Sequence, residues 1–152
     1  AIAVRSDEVS QVDTSWGIKP NWAKKLLINA QAETVAQKPT FRNAFANNRC
    51  IIPCTGWFEW STKEGRGKRK YHFGFSNQQA VYMAGIWYQG NDSELPQLVT
   101  LTTSPSTKCE QYHHRMPLLI PKEAIKDWVS LPPNEITGLL VNKPSDIEVS
   151  SK

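Results

Sequence analysis

At 152 residues the chain has the size of one ordinary domain, long enough to bury a core without disulfide staples. With 39% hydrophobic and 21% charged residues it reads as globular, and no run approaches the about 18 apolar residues of a membrane-spanning helix. The net charge of +4 is mild: it suits a polyanionic partner without demanding one.

The opening AIAVRSDEVSQVDTSWGI starts without a methionine and turns charged at Arg5, so no signal peptide is expected and the sequence reads as a fragment or processed form. Its apolar–polar alternation predicts two short strands around a polar turn. KPNWAKKLLINAQAET carries a Pro-Asn break and then an apolar run, and AETVAQKP predicts one or two helical turns ending before Pro39. FRNAFANNRC predicts a helix, with Phe41, Ala44 and Phe45 on one face and Asn47-Asn48 ending it. CIIPCTGWFEW is β-rich and aromatic, and TKEGRGKRK predicts a basic hairpin loop.

YHFGFS and AVYMAGIWYQ predict strands joined by the short link NQQ, and GNDSELP predicts a turn before the strand QLVTLTT. SPSTKCEQYHHRMP is irregular or briefly helical, and LLI is a short strand. PKEAIKDWVSL predicts a helix with Pro near its start and Trp128 packed inward. PPNEITGLLVN predicts a short helix, and DIEVSSK a closing strand. Strands linked by turns, not by long crossover helices, predict an antiparallel α+β domain or distorted barrel. Glycine-rich phosphate loops and GxSxG elbows are absent from the sequence.

Cys50, Cys54 and Cys109 make an odd number without a signal peptide, which implies a reducing compartment and no disulfide framework. The Cys50–Cys54 gap is not that of a zinc knuckle and no second pair follows, so these read as small buried hydrophobes, and neither metal nor cofactor is expected. Six tryptophans among scattered Lys and Arg are the materials of a single-stranded nucleic-acid surface, although most are expected in the core.

Three elements can carry chemistry. In GWFEW, Glu59 sits among Trp57, Phe58 and Trp60. Desolvation there would raise its pKa and make it a proton shuttle near neutrality; the other reading is a carboxylate on the polar face of an alternating strand, sharing that face with Trp57. Asn29 follows the apolar LLI, so its amide could orient a reactive group, although a turn or cap is the commoner use of such a residue. In YHHRMP, His113 and His114 would point opposite ways in an extended chain, so at most one faces a given pocket; Arg115 beside them can clamp a phosphate.

The ordered set WGIKPNW (16–22), INAQAET (28–34), CIIPCTGWFEW (50–60), YMAGIW (82–87), LTTSP (101–105) and HHRMPLLI (113–120) resembles the SRAP family, the SOS response-associated peptidase proteins and their eukaryotic 5-hydroxymethylcytosine-binding relatives. Each piece is weak alone; their order across most of the chain is specific. The resemblance implies a single SRAP-like domain over 1–152, an α+β fold of mostly antiparallel strands in a distorted barrel with a few short helices. It implies binding of single-stranded DNA and covalent capture of abasic sites, with autocatalytic removal of the initiator Met. An N-terminal cysteine would form a Schiff base through its α-amine and then a thiazolidine through its thiol.

By motif, Asn29 would orient that cysteine, Glu59 would shuttle protons, and His113 would act on the opening sugar ring. Arg115 would meet a phosphate, Trp22 and Trp60 would stack or wedge near the abasic site, and Thr102 would face the same cleft. The resemblance further implies a monomer without a membrane partner, cytoplasmic at the nucleoid in a bacterium or nuclear in a eukaryote.

Two departures stand out. Cys50, Cys54 and Cys109 are internal, so none has the α-amine, and the family's N-terminal catalytic segment and C-terminal return strand are expected outside this sequence. The family's INAR arginine is Gln31 here, which would weaken DNA binding and flatten its salt dependence by about one unit. Two other readings use the same residues: a non-catalytic single-stranded nucleic-acid binder resting on Trp22, Trp60 and Arg115, and a cysteine hydrolase pairing Cys54 with His113. The apolar CIIPC setting opposes the thiolate that the latter needs.

Overall fold

The computed structural model describes residues 1–5, 8–62, 67–76, 79–90 and 94–152. Strands β1 (Ile2–Arg5) and β2 (Glu8–Gln11) form the expected antiparallel pair, followed by the two-residue β3 (Ser15–Trp16) and by β4 (Asn29–Gln31). Helix α1 (Pro39–Asn47) begins on its proline and buries Phe41, Ala44 and Phe45, the face set by the apolar spacing. Strands β5 (Arg49–Cys54), β6 (Trp57–Ser61), β7 (Arg69–Phe75), β8 (Val81–Tyr88) and β9 (Gln97–Thr103) follow. Then come β10 (Met116–Pro117), α2 (Ile125–Ser130) and β11 (Ile147–Ser151).

The strands divide into two sheets that do not close into a barrel. One runs β10-β9-β8-β5-β1-β2, with β3 and β4 added on β9; the other runs β11-β7-β6. Pairing is antiparallel except at β3 and β4, which lie parallel to β9. The sequence links β7 to β8 by a short polar stretch, yet the two strands belong to different sheets. Residues 77–78 of that link, the tip of the basic turn (63–66) and part of GNDSELP (91–93) lie outside the described residues.

The chain also changes sheets between β5 and β6. Gly56 makes this possible at φ +148°, where a Cβ would overlap the Phe73 carbonyl oxygen. Residues 32–38 form hydrogen-bonded turns where helical turns were expected, with the Gln37 and Lys38 amides both donating to the Thr34 carbonyl. LLI contributes a single bridge, Leu119 to Met83, in place of a strand, the ladder being taken by Met116 and Pro117. PPNEITGLLVN forms two 3-10 turns, Pro133–Glu135 and Thr137–Val141. The closing strand forms as expected: β11 pairs with β7 over its whole length.

The main core packs α1 and α2 on the large sheet through Phe45, Ile51, Ile86, Leu101 and a fully buried Trp128. Arg49 is buried with it. Its guanidinium lies near the Phe45 and Trp128 rings and donates to the carbonyls of Phe45, Trp128 and Leu131. A second cluster, Trp57, Tyr71, Phe73, Met83, Met116 and Ile147, packs the small sheet on the large one. Burying carbonyls without such a donor would leave each unsatisfied, at about 1–3 kcal/mol apiece. Among the described residues, no helix is long and apolar enough to cross a membrane.

Candidate functional site

Strand alternation decides which residues of GWFEW face inward. Trp57 and Ser61 are buried and Glu59 is half-buried, while Phe58 and Trp60 are exposed on the other face. Glu59 therefore shares its face with Trp57, and Trp60, next to it in sequence, is not beside it in space. Its carboxylate borders a cavity of about 500 Å³ lined from both sheets. Strands β3 and β4 contribute Trp16, Asn29 and Gln31; β9 contributes Thr100 and Thr102; and the segment entering β10 contributes His113, His114 and Arg115.

Asn29, Glu59 and His113, distant in sequence, thus converge on one cavity, with Gln31, Thr102 and Arg115 beside them. Trp22 and Trp60 do not line it. Trp22 is exposed over a separate groove with Lys19, Pro20 and Tyr88, and Trp60 is exposed on the outer face of β6.

The placement of Asn29 and Gln31 follows from register. Parallel pairing sets Asn29 against Thr100 and Gln31 against Thr102, so two residues apart on β4 reach the same face beside β9. On the other edge of β9, pairing with β8 ends at Thr100, and β10 takes Thr102 and Thr103. The turn before β10 closes with the His113 amide donating to the Cys109 carbonyl, so the histidines are not in an extended chain. Both line the cavity with ring centroids 4.4 Å apart, where alternation had allowed only one.

His113 Nδ1 lies 3.8 Å from a Glu59 carboxylate oxygen and 2.8 Å from the Arg115 carbonyl. Burial lifts the Glu59 carboxyl above its ordinary value, a shift reduced but not cancelled by His113 and His114. At its lip, the Arg115 guanidinium grips Glu33 with Nη1 and Nη2 at 2.9 and 2.7 Å from the two carboxylate oxygens. Nη2 also donates to the Thr102 carbonyl at 2.7 Å. Glu33 accepts from the Ser104 amide as well, and the bond from Arg115 holds its carboxyl below the ordinary value. The Arg115 side chain expected to meet a phosphate is therefore already held by a carboxylate.

Sequence reading missed this Glu33–Arg115 pair and the participation of His114. The pair spans 82 residues and has no local signature; the only hint was that Glu33 lies in INAQAET, one of the motif pieces. The Thr100 hydroxyl, buried in the wall of the cavity, has no hydrogen-bond partner. Cys54 does not line the cavity. Its thiol donates to the Val81 carbonyl and burial pushes it up, so the pairing with His113 that a cysteine hydrolase needs is not formed. Among the described residues no group of three or more His, Cys, Asp or Glu could hold a metal ion.

The model of the SOS response associated peptidase (SRAP) family matches residues 1–151. The chain is 33% identical over 123 residues to the abasic site processing protein YoqW of Bacillus subtilis, covering 76% of this chain and 55% of that protein. It is 32% identical over 128 residues to the abasic site processing protein YedK of Escherichia coli, covering 81% and 55%. The chain thus spans about half the length of these curated relatives. Among solved structures, a Bacteroides thetaiotaomicron protein superposes with a TM-score of 0.78 at 31% identity, over 99% of this chain and 72% of that one.

Proposed function

This chain belongs to the SOS response associated peptidase family, and on that premise we propose that its cavity receives the sugar of an abasic site in single-stranded DNA. The observation that carries the reading is the convergence of Asn29, Glu59 and His113 on one cavity bordered by Thr102 and Arg115. The names of the relatives, abasic site processing proteins, support the substrate. A missing base leaves a sugar without its ring system, and a cavity of about 500 Å³ has room for a deoxyribose and its flanking phosphate oxygens.

The chemistry needs protons moved at several steps. Opening the sugar ring exposes an aldehyde, and His113 sits beside Glu59 to give or take that proton. The α-amine of an N-terminal cysteine adds to the aldehyde and loses water to give an imine. The thiol then adds across the C=N bond: sulfur joins carbon, and its proton passes to nitrogen, closing a thiazolidine. Cys50, Cys54 and Cys109 are internal and carry no free α-amine, so none of the three supplies that amine. Glu59, its carboxyl raised by burial, holds a proton closer to neutrality than a surface carboxylate and serves as the shuttle at the amine. The same carboxyl would assist autocatalytic Met removal, and Asn29 supplies an amide that can fix the amine.

Incubating the protein with an oligonucleotide bearing one abasic site, then running a denaturing gel, tests this. A heat-stable shifted band is expected. Its absence, with a mature N-terminal cysteine verified by mass spectrometry, defeats the covalent reading, and equal affinity for abasic and intact strands defeats the sugar site.

A further inference from the structure

Alternation along β9 puts Thr100 and Thr102 on one face, the face that lines the cavity. Their hydroxyls are not in the same position. That of Thr102 is engaged by Arg115, whose Nε and Nη2 lie 3.4 and 3.3 Å from it. That of Thr100 is buried and, among the described residues, has no hydrogen-bond partner. An unpaired buried hydroxyl costs stability. Valine would fill the same space without that cost, so a threonine in the cavity wall calls for a use.

The neighbours of Thr100 narrow what the use is. On one edge of β9 its register partner is Gly85, which brings no side chain. The space over Gly85 is closed by Ile52 Cδ1 and Cys50 Sγ, which would stand 2.6 and 2.9 Å from a Cβ built there. On the other edge its register partner is Asn29. The Thr100 amide donates to the Ile28 carbonyl at 3.0 Å, which fixes β4 beside it. Adjacent strands lie about 4.8 Å apart, so side chains in register on one face reach each other. Asn29 is exposed and lines the same cavity. A bound strand does not reach a buried hydroxyl; a turn of the neighbouring amide does.

We propose that Thr100 is a positioning residue for the Asn29 amide. The inference rests on the reading of the cavity as the site of an abasic sugar and deepens it. An amide has an accepting oxygen at one end and a donating NH2 group at the other. To fix an amine, which donates, Asn29 must present Oδ1. Its Nδ2 then needs an acceptor, and the Thr100 hydroxyl oxygen supplies one. The two amide orientations have the same shape, and the hydroxyl selects between them.

The test compares Thr100→Val, Thr100→Ser, Asn29→Ala and the Thr100→Val/Asn29→Ala double variant with the parent protein, its mature N-terminal cysteine verified. Single-turnover adduct formation on an oligonucleotide with one abasic site is followed by denaturing gel, affinity for the same strand by anisotropy, and stability by urea unfolding. Thr100→Val should slow adduct formation about threefold to tenfold and leave affinity within about twofold. Thr100→Ser, which keeps the hydroxyl, should restore most of the rate. With Asn29→Ala already present, Thr100→Val should cause no further loss. In urea, Thr100→Val should unfold at a higher midpoint than the parent, because it buries no unpaired hydroxyl.

A parent-like rate in Thr100→Val overturns the proposal. So does an equal loss with and without Asn29, since Thr100 would then act on its own, and so does a Thr100→Ser rate no better than that of Thr100→Val, which would assign the effect to shape. A lowered urea midpoint in Thr100→Val overturns it too, because the hydroxyl would then have a structural partner. Failure of the underlying reading looks different: the parent itself forms no adduct, and the role of Thr100 falls with the cavity's.

Discussion

One carboxylate borders the cavity, a second is tied to its Arg115, and the two are pushed in opposite directions. Glu59, half-buried on β6, has only a loose neighbour in His113 at 3.8 Å, and burial raises its carboxyl. Glu33, exposed at the lip, is held bidentately by Arg115, and its carboxyl is lowered. Chemically identical groups thus take different tasks from their surroundings: one is disposed to carry a proton, the other to remain an anion. Under the proposed function the first would carry the proton and the second would keep Arg115 in place until a phosphate arrives.

The sharpest way to break the comparison is Glu59→Gln. Removing the proton carrier while keeping its shape should slow adduct formation by about a hundredfold or more and change affinity for an abasic strand less than about twofold, read by gel time course and anisotropy. Equal losses in both would make Glu59 structural. Next in size, Arg115→Ala should weaken binding of the abasic strand about tenfold and flatten its salt slope, with little effect on the rate of the bound complex. A loss confined to the rate would move Arg115 from phosphate contact to the chemistry.

Glu33→Gln sharpens the comparison because its sign is informative. Glu33 occupies both Nη1 and Nη2 of Arg115, so if the carboxylate competes with phosphate, the variant should bind DNA about threefold more tightly and with a steeper salt slope. Weaker binding would instead make Glu33 the support that aims Arg115.

The smallest effect is on stability and its pH dependence. Glu33 titrates below its ordinary value of 4.5, so its contribution is complete above that value and is lost as pH falls through the folded value. Glu33→Gln should therefore cost less than about 1 kcal/mol at neutral pH, given its exposure, and the difference should vanish in acid. Glu59 has the opposite sign: its raised carboxyl favours the fold below 4.5, and that contribution is lost as pH rises through the folded value. Glu59→Gln should flatten the stability profile on that side in urea titrations.

How much of this was legible beforehand follows from range. The face of α1, the buried Trp128, the β1–β2 pair and the closing strand depend on neighbours in sequence, and periodicity alone located them. The antiparallel α+β class followed from turn-linked strands, but the separation of β7 from β8 did not, since a short polar link is the same string whether it joins paired strands or two sheets. Asn29, Glu59 and His113 were singled out by residue type and motif; their meeting at one cavity depends on register across β4 and β9. The rings of GWFEW were read as walls around Glu59, and alternation sends Phe58 and Trp60 to the other face. The paired histidines broke the alternation rule because they close a turn, which polar residues do not announce.

Strand β9 acts as the ruler against which the cavity is measured. Two segments far apart in the chain, β4 and β10, index themselves on its last residues: Asn29 on Thr100, Gln31 and Pro117 on Thr102, Met116 on Thr103. A slip of one residue in any of these ladders would reverse which side chains look inward, so the pocket cannot assemble piecemeal. Contacts of such long range close late in folding, and the chemistry should therefore be the last property to return when the unfolded chain is allowed to refold.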